Sequence, residues 1–340
     1  MARSSEITLW EIADSANLQR AAHLAARGVR NRPVVAQFMV NLAWELRQMQ
    51  RAILDETVEV GQTTAFTIHD PKPRQIFAPV FPERVLQHAV MACVGPALDK
   101  ALVADTFACR IGKGTIAAVQ RAQHHSRRFT WYGQIDIRRY FPSVNHDVLL
   151  TALDRRFRDA GVRRLLWRIV TAHEEQPGRG LPIGALCSQH FANFYLAPLD
   201  RAILEHSPAR AMVRYMDDVV IWAHSSQDVR QTLQIIRQVV ADRLRLELRD
   251  EPVINRVDHG ISFCGFRIHP GIIRASSRRK RRFVAARSRW ETRFVEGMIS
   301  STELQRGYDA AFGIMAHADS KAWRKRQLQI SPPPWECDEA

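Results

Sequence analysis

The 340-residue chain is 46% apolar and 25% charged, a globular balance with length enough for one large domain or two to three smaller ones. Its 49 Lys and Arg outnumber 35 Asp and Glu, and the resulting net charge of +14 favours a polyanionic partner, nucleic acid or an anionic surface. No apolar run reaches membrane-span length, no secretion signal opens the chain and the five cysteines form no Cys-x-x-Cys pair, which predicts a cytoplasmic protein without membrane partner, zinc site or disulfide framework.

Residues 6–56 read as helices broken at Asn31-Arg32-Pro33, and the second piece sets Val35, Phe38, Leu42, Leu46 and Met49 on one core-facing stripe. Residues 64–80 predict a hairpin about an Asp-Pro-Lys-Pro turn, followed by a helix from Glu83 to Leu102. FTWYGQIDI (129–137) predicts a strand, after which Ser143 reads as the cap of a helix running through Leu150 and Phe157. PGRGLPIG (177–184) is a loop before a helix from about Leu186 to Glu205. RYMDDVVIWA (214–223) gives a strand, a turn holding Met216-Asp217-Asp218 and a second strand. Residues 227–246 return to helix, and a last hairpin spans 253–274. RASSRRKRRFVAARSR (274–289) carries eight basic residues and no acidic one, a self-repelling charge run that a polyanion relieves. Helical patterning resumes to about Gln329, and the tail SPPPWECDEA reads as disordered. Helices mixed with antiparallel hairpins define an α+β class.

Two features carry chemistry. Asp136 ends an apolar strand, and Asp217–Asp218 sit between two more; if these strands share a sheet, three acids converge. Their repulsion raises pKa values or destabilises the fold unless a divalent cation intervenes. All-oxygen donors suit Mg²⁺, with Mn²⁺ as a substitute and substrate phosphates as further ligands, and two such ions serve in-line phosphoryl displacement. IGKGT is no P-loop, which needs Gly where Phe107 stands and Ser or Thr where Gly114 stands.

The order of these pieces resembles the reverse transcriptases of bacterial retroelements. PKPRQIFAPVFPERVLQHAV (71–90) is similar to the family's fingers segment, FACRIGKGTIAAVQRA (107–122) to its next block and GQIDIRRYFPSVNHDVL (133–149) to its first-aspartate motif. GLPIGALCSQHFANFYLAPLD (180–200), RYMDDVVIWA and FCGFRIHP (263–270) follow in the family's order. The resemblance implies a right-hand polymerase: a helical N-terminal extension (1–63), fingers and palm (64–273), a basic helical thumb (274–330) and a disordered tail (331–340). It implies that Asp136, Asp217 and Asp218, with the Ile137 carbonyl, hold two catalytic metals. Lys72 and Arg74 would reach the incoming triphosphate, in a dNTP pocket with Arg138, Arg139, Tyr140, Ile183, Gly184 and Gln189. Phe141 matches the aromatic gate that excludes a 2′-hydroxyl. Tyr215, Met216, Cys264 and Gly265 would lie by the primer end, and Arg278, Arg279, Lys280, Arg281 and Arg282 would grip template and primer.

Within LPIGALCSQ, Ile183-Gly184 and Ser188-Gln189 stand where most of the family has Gln-Gly and Ser-Pro. That pattern looks like diversity-generating retroelements, which copy a template RNA into cDNA with errors at adenines and work with a small helical accessory protein. An aliphatic Ile183 offers no donor near the nascent pair, which weakens a check on pairing. The lysine often found before FCGF has no counterpart, Glu251 standing there, and Cys264 replaces the usual leucine. A phage-defence reverse transcriptase and a non-catalytic RNA-binding scaffold are the alternatives; buried like charges argue against the scaffold, which gains nothing from keeping them.

Overall fold

The computed structural model describes residues 5–69 and 73–336. The chain opens with α1 (Leu9–Ala13), α2 (Ser15–Ala25), α3 (Pro33–Val40) and α4 (Leu42–Leu54). Thr8 and Glu11 close a capping box on α1, Asp14 caps α2 through the Asn17 amide, and Pro33 opens α3 where no helical donor is lost. Val35, Phe38 and Met49 of the stripe are buried, Leu42 and Leu46 partly so. β1 (Thr63–His69) and β2 (Pro73–Pro79) pair antiparallel from Thr63↔Pro79 to His69↔Pro73; residues 70–72, on which the expected turn falls, lie outside the described residues.

Next come α5 (Phe81–Asp99), α6 (Thr115–Ser126), β3 (Trp131–Ile135), the short α7 (Tyr140–Ser143), α8 (His146–Arg156) and α9 (Ala160–Thr171). The cap of α8 is Asn145, whose side chain accepts the Val148 amide at 3.0 Å; Ser143 ends α7 and bonds back to the Arg138 carbonyl. The single helix expected over 186–205 is two, α10 (Leu186–Tyr195) and α11 (Ala197–His206), because Pro198 has no amide to carry the ladder across. β4 (Ala211–Tyr215), β5 (Asp218–Ala223) and α12 (Ser226–Gln238) follow, and α12 widens into a π-helical turn over Val239–Arg243.

Residues 253–274 are not one hairpin. β6 (Val253–Arg256) is the outer strand beside β3, in a sheet ordered β4-β5-β3-β6, with Gln134↔Val253 and Ile135↔Val219 in register. Val257–His259 and Gly260, at φ +80°, then redirect the chain into a second sheet of β7 (Ile261–Phe263), β8 (Phe266–Ile268) and β9 (Ile273–Ala275). Alternation along a strand does not name its partner. Helices α13 (Ser277–Val295), α14 (Ser301–Met315) and α15 (Lys321–Ile330) complete the chain. Within the tail expected to be disordered, Pro334–Glu336 form a 3-10 turn and Trp335 lies edge-on to Phe294 at 5.4 Å; 337–340 lie outside the described residues.

The main sheet is buried on both faces. Met212, Val219, Ile221 and Ala223 join the α12 residues Val229, Leu233 and Ile236 in the large core, while Tyr132, Val213, Val220 and Trp222 pack with Ala118, Val119 and Ala122 of α6 and with Phe263 and Phe266. Gly133 makes the first contact possible, since a Cβ there would lie 2.8 Å from Val229 Cγ1. Phe283, Ala311 and Met315 form a separate core among the last helices. Helices and antiparallel sheets are mixed as the α+β pattern predicts, and no helix among the described residues is long and apolar enough to cross a membrane.

Candidate active site

The end of β3 and the β4–β5 turn bring two acids together. Beyond β3 the Asp136 carbonyl accepts the Arg249 amide and the Arg138 amide reaches the Glu247 carbonyl, both at 2.9 Å, so Ile137 bridges Leu248 with its own carbonyl left out of those two bonds. Tyr215 pairs with Asp218, which leaves Met216–Asp217 as a two-residue turn. Met216 sits at φ +56°, where such turns take glycine. Arg214 holds that strained residue. Fully buried, it donates to the Met216 carbonyl at 3.1 Å, to Asn193 Oδ1 at 2.8 Å and to both oxygens of buried Asp200 at 2.6 Å each. Thr106 adds a bond to Asp200 at 2.8 Å. A buried ion pair is tolerated when its hydrogen bonds are satisfied this completely. Sequence reading missed both residues, although Arg214 directly precedes Tyr-Met-Asp-Asp and Asp200 closes LAPLD.

Burial, the charge of Asp136 and a hydrogen bond with Asp136 push the Asp217 carboxyl up to about 6, against an opposing pull from Arg74. The β3–β5 register, Ile135 opposite Val219, makes the two carboxyls neighbours close enough to repel each other. Asp218 shares the opposite face of β5 with Val220 and Trp222. Its carboxyl takes a 2.8 Å bond from Gln134 and is pushed up to about 7, chiefly by burial and further by the charges of Asp136 and Asp217. So the three acids gather as a pair and a near neighbour; among the described residues no three His, Cys, Asp or Glu are grouped to hold a metal. The pair itself fits a hard divalent cation: both donors are carboxylate oxygens, and their repulsion is what such an ion relieves. Arg249 supplies positive charge there, its Nη1 2.6 Å from Asp136 Oδ2. Gln134 and Arg249 also escaped the sequence reading.

Around this pair the β1–β2 hairpin docks on the 183–184 loop. The Phe77 amide donates to the Ile183 carbonyl at 2.8 Å. Gly184, at φ +118°, would set a Cβ 2.9 Å from the Phe77 carbonyl oxygen, so only glycine serves. Buried Gln87 accepts the Leu186 amide at 2.8 Å and fixes the loop from α5. Arg74 is exposed on β2, and Lys72 lies outside the described residues. Arg138 and Arg139 face Glu247 and Glu175 at 3.4 and 2.7 Å. Tyr140 is a core residue whose hydroxyl donates to the Ala192 carbonyl, so its ring packs instead of lining a pocket. Phe141, half-buried, meets that ring edge-on at 5.8 Å. Gln189 accepts from the Cys109 thiol at 3.5 Å.

Tyr215 accepts from Thr115 at 3.1 Å. Cys264 and Gly265, at φ +49° and +78°, make the β7–β8 turn, and burial and the Asp218 charge push the Cys264 thiol up. On α13, Arg278, Arg281 and Arg282 are exposed. Arg279 and Lys280 are used in packing: Arg279 lies over Phe266 at 4.0 Å and bonds the Ile314 carbonyl at 2.9 Å, while Lys280 lies over Trp323 at 5.4 Å.

Residues 39–251 match the profile of a family described as reverse transcriptase (RNA-dependent DNA polymerase). The chain is 24% identical to Protein YkfC of Escherichia coli over 241 residues, 58% of this chain and 63% of that protein. It is 20% identical to the COX1/OXI3 intron 2 protein of Saccharomyces cerevisiae over 214 residues, 44% of this chain and 25% of that one. It thus spans less than two thirds of either relative.

Proposed function

This chain belongs to the reverse transcriptase family, and from that premise we propose that it is an RNA-directed DNA polymerase copying template RNA into cDNA from dNTPs. The observation that carries this is the antiparallel pairing of β3 with β5, Ile135 opposite Val219, which sets Asp136 at the end of one strand beside the Asp217–Asp218 turn of the other. We assign 64–273 to fingers and palm and 274–330 to a thumb. Asp136 and Asp217 would hold Mg²⁺, or Mn²⁺ in its place, with the Ile137 carbonyl available as a further ligand and Asp218 adding negative charge from beside the pair. Such ions, when bound, lower the pKa of an attacking hydroxyl and stabilise the leaving oxygen. Arg74 and Lys72 take the triphosphate charge, Arg249 balances the carboxylates between turnovers, and Phe141 crowds a 2′-hydroxyl.

The subtype proposal is a diversity-generating retroelement enzyme, error-prone at template adenines and partnered by a small helical accessory protein. Its support is the Ile183-Gly184 and Ser188-Gln189 pattern. Primer extension on RNA tests the first claim: wild type incorporates dNTPs, and Asp217→Asn loses more than about 100-fold, beyond what losing a group behind a metal ligand costs. A wild-type chain that never extends a primer overturns it. For the second, Ile183→Gln lowers misincorporation opposite adenine at near-normal synthesis; identical error spectra remove the rationale.

A further inference from the structure

On the helical side of the main sheet lies a cavity of about 540 Å³ that shares no residue with the carboxylate pair. Arg155 and Arg156 of α8, Arg201 of α11, and Arg243 and Arg245 at the π-helical turn line it, with Asp147 as the one acid among the described residues. That acid offsets little: it stands 3.7 Å from Arg245 with both side chains exposed. Arg156, 7% exposed, donates to the Ala97 carbonyl at 3.0 and 2.7 Å, and Arg201 donates to the Ala101 carbonyl at 2.7 Å. Burial and the charge of Arg201 both pull Arg156 below its ordinary range.

Two backbone features hold this crowd in place. The Leu244 amide returns five residues to Val239, a wide turn of the kind concentrated at functional sites. Arg245 is left-handed, at φ +49°, with its carbonyl bonded by Arg179 at 3.0 Å. Strain of this kind persists where the surroundings enforce it. A cluster in which guanidiniums so outnumber carboxylates is matched by an outside anion, and their planar forks suit phosphate. Val148, Ala152 and Pro198, each half-buried, give the cavity an apolar wall whose chemistry suits an unpaired base, with the arginines at the rim for its phosphates.

We propose that this cavity is a second nucleic-acid site, which holds an unpaired segment of the template RNA outside the polymerising cleft. The identity of the RNA rests on the polymerase reading; the anion chemistry does not.

The test uses the full chain with Arg201, Arg243 and Arg245 each changed to Ala, leaving the packed Arg156 intact. Two probes are compared, a long unstructured RNA and a hairpin primer–template too short to leave the cleft. Affinity for the long RNA should fall tenfold or more, and its salt slope should become shallower by about 2, three phosphate contacts at about 0.7 each. Hairpin affinity and single-nucleotide incorporation should not move. The matching Lys triple variant should keep the salt slope, which separates lost charge from lost fold. Unchanged binding of the long RNA, an equal loss on both probes, or wild type that binds inorganic phosphate or a mononucleotide there without RNA overturns the proposal. A wild-type chain that extends no primer yet shows the selective loss overturns the polymerase reading and leaves the RNA site standing.

Discussion

At the residue scale the site is governed by charges that protein alone does not balance. Asp217 titrates near 6 and Asp218 near 7 when folded, both above an ordinary carboxyl. These two groups therefore bind more protons in the folded chain than in the unfolded one between about pH 4 and 7, and their contribution to stability falls as pH rises through that window. Burial lowers His88, His173 and His190, which act with the opposite sign, so the contribution is read as a difference: in thermal melts of metal-free protein, Asp217→Asn should gain on the wild type as pH rises from about 4 to 6. A difference that does not change with pH would remove the case for a strained pair. Arg249 competes with any cation for Asp136 Oδ2, since it already bonds that oxygen. Because both partners are substantially exposed, its removal has a modest effect: Arg249→Gln should tighten Mn²⁺ binding, read by electron paramagnetic resonance without nucleotide, by about two- to fivefold. Weaker binding in the variant would make Arg249 a support of the metal site instead of its competitor.

At the element scale, glycine and arginine decide how pieces dock. Gly184→Ala would drive a Cβ into the Phe77 carbonyl at a left-handed φ, costing about 1–3 kcal/mol and loosening β2 from the loop. Hydrogen exchange should rise along Gln75–Phe77 while β3 and β5 stay protected; unchanged exchange there means that the hairpin is held elsewhere. On α13 the charge run divides by contact. Arg281→Glu, on the exposed face, should weaken primer–template binding and make the salt slope shallower by about 1. Arg279→Glu should instead lower the melting temperature, because that guanidinium ties Phe266 of the small sheet to Ile314 of α14. Equal effects of the two on the salt slope would erase the distinction. The charge run was legible in the sequence and the resemblance implied a helical thumb, whereas the division was not: Phe266 lies on a strand outside the helix.

At the scale of the whole molecule, one sheet buried on both faces sets the carboxylate pair at the ends of its two central strands, with the arginine cavity elsewhere on its helical side, while the last helices keep a core of their own. The family match ends at Glu251, before β7–β9 and α13–α15, so the region that crosses from Cys264 to the basic helix is where this chain's own sequence carries the argument. The sequence by itself determined the strands and helices that repeat with their own period, the identity of the acids, the glycine in the 183–184 loop and the positive charge. Each of these is written in neighbouring residues, where backbone geometry imposes spacing. Tertiary structure alone decided that Asp217 faces Asp136 while Asp218 turns to Gln134, that Arg214 locks onto Asp200, that Arg249 reaches Asp136 across 113 positions, and that five arginines from three elements share one cavity. Such contacts join side chains far apart in the chain, and no local period records which distant partner satisfies a buried charge.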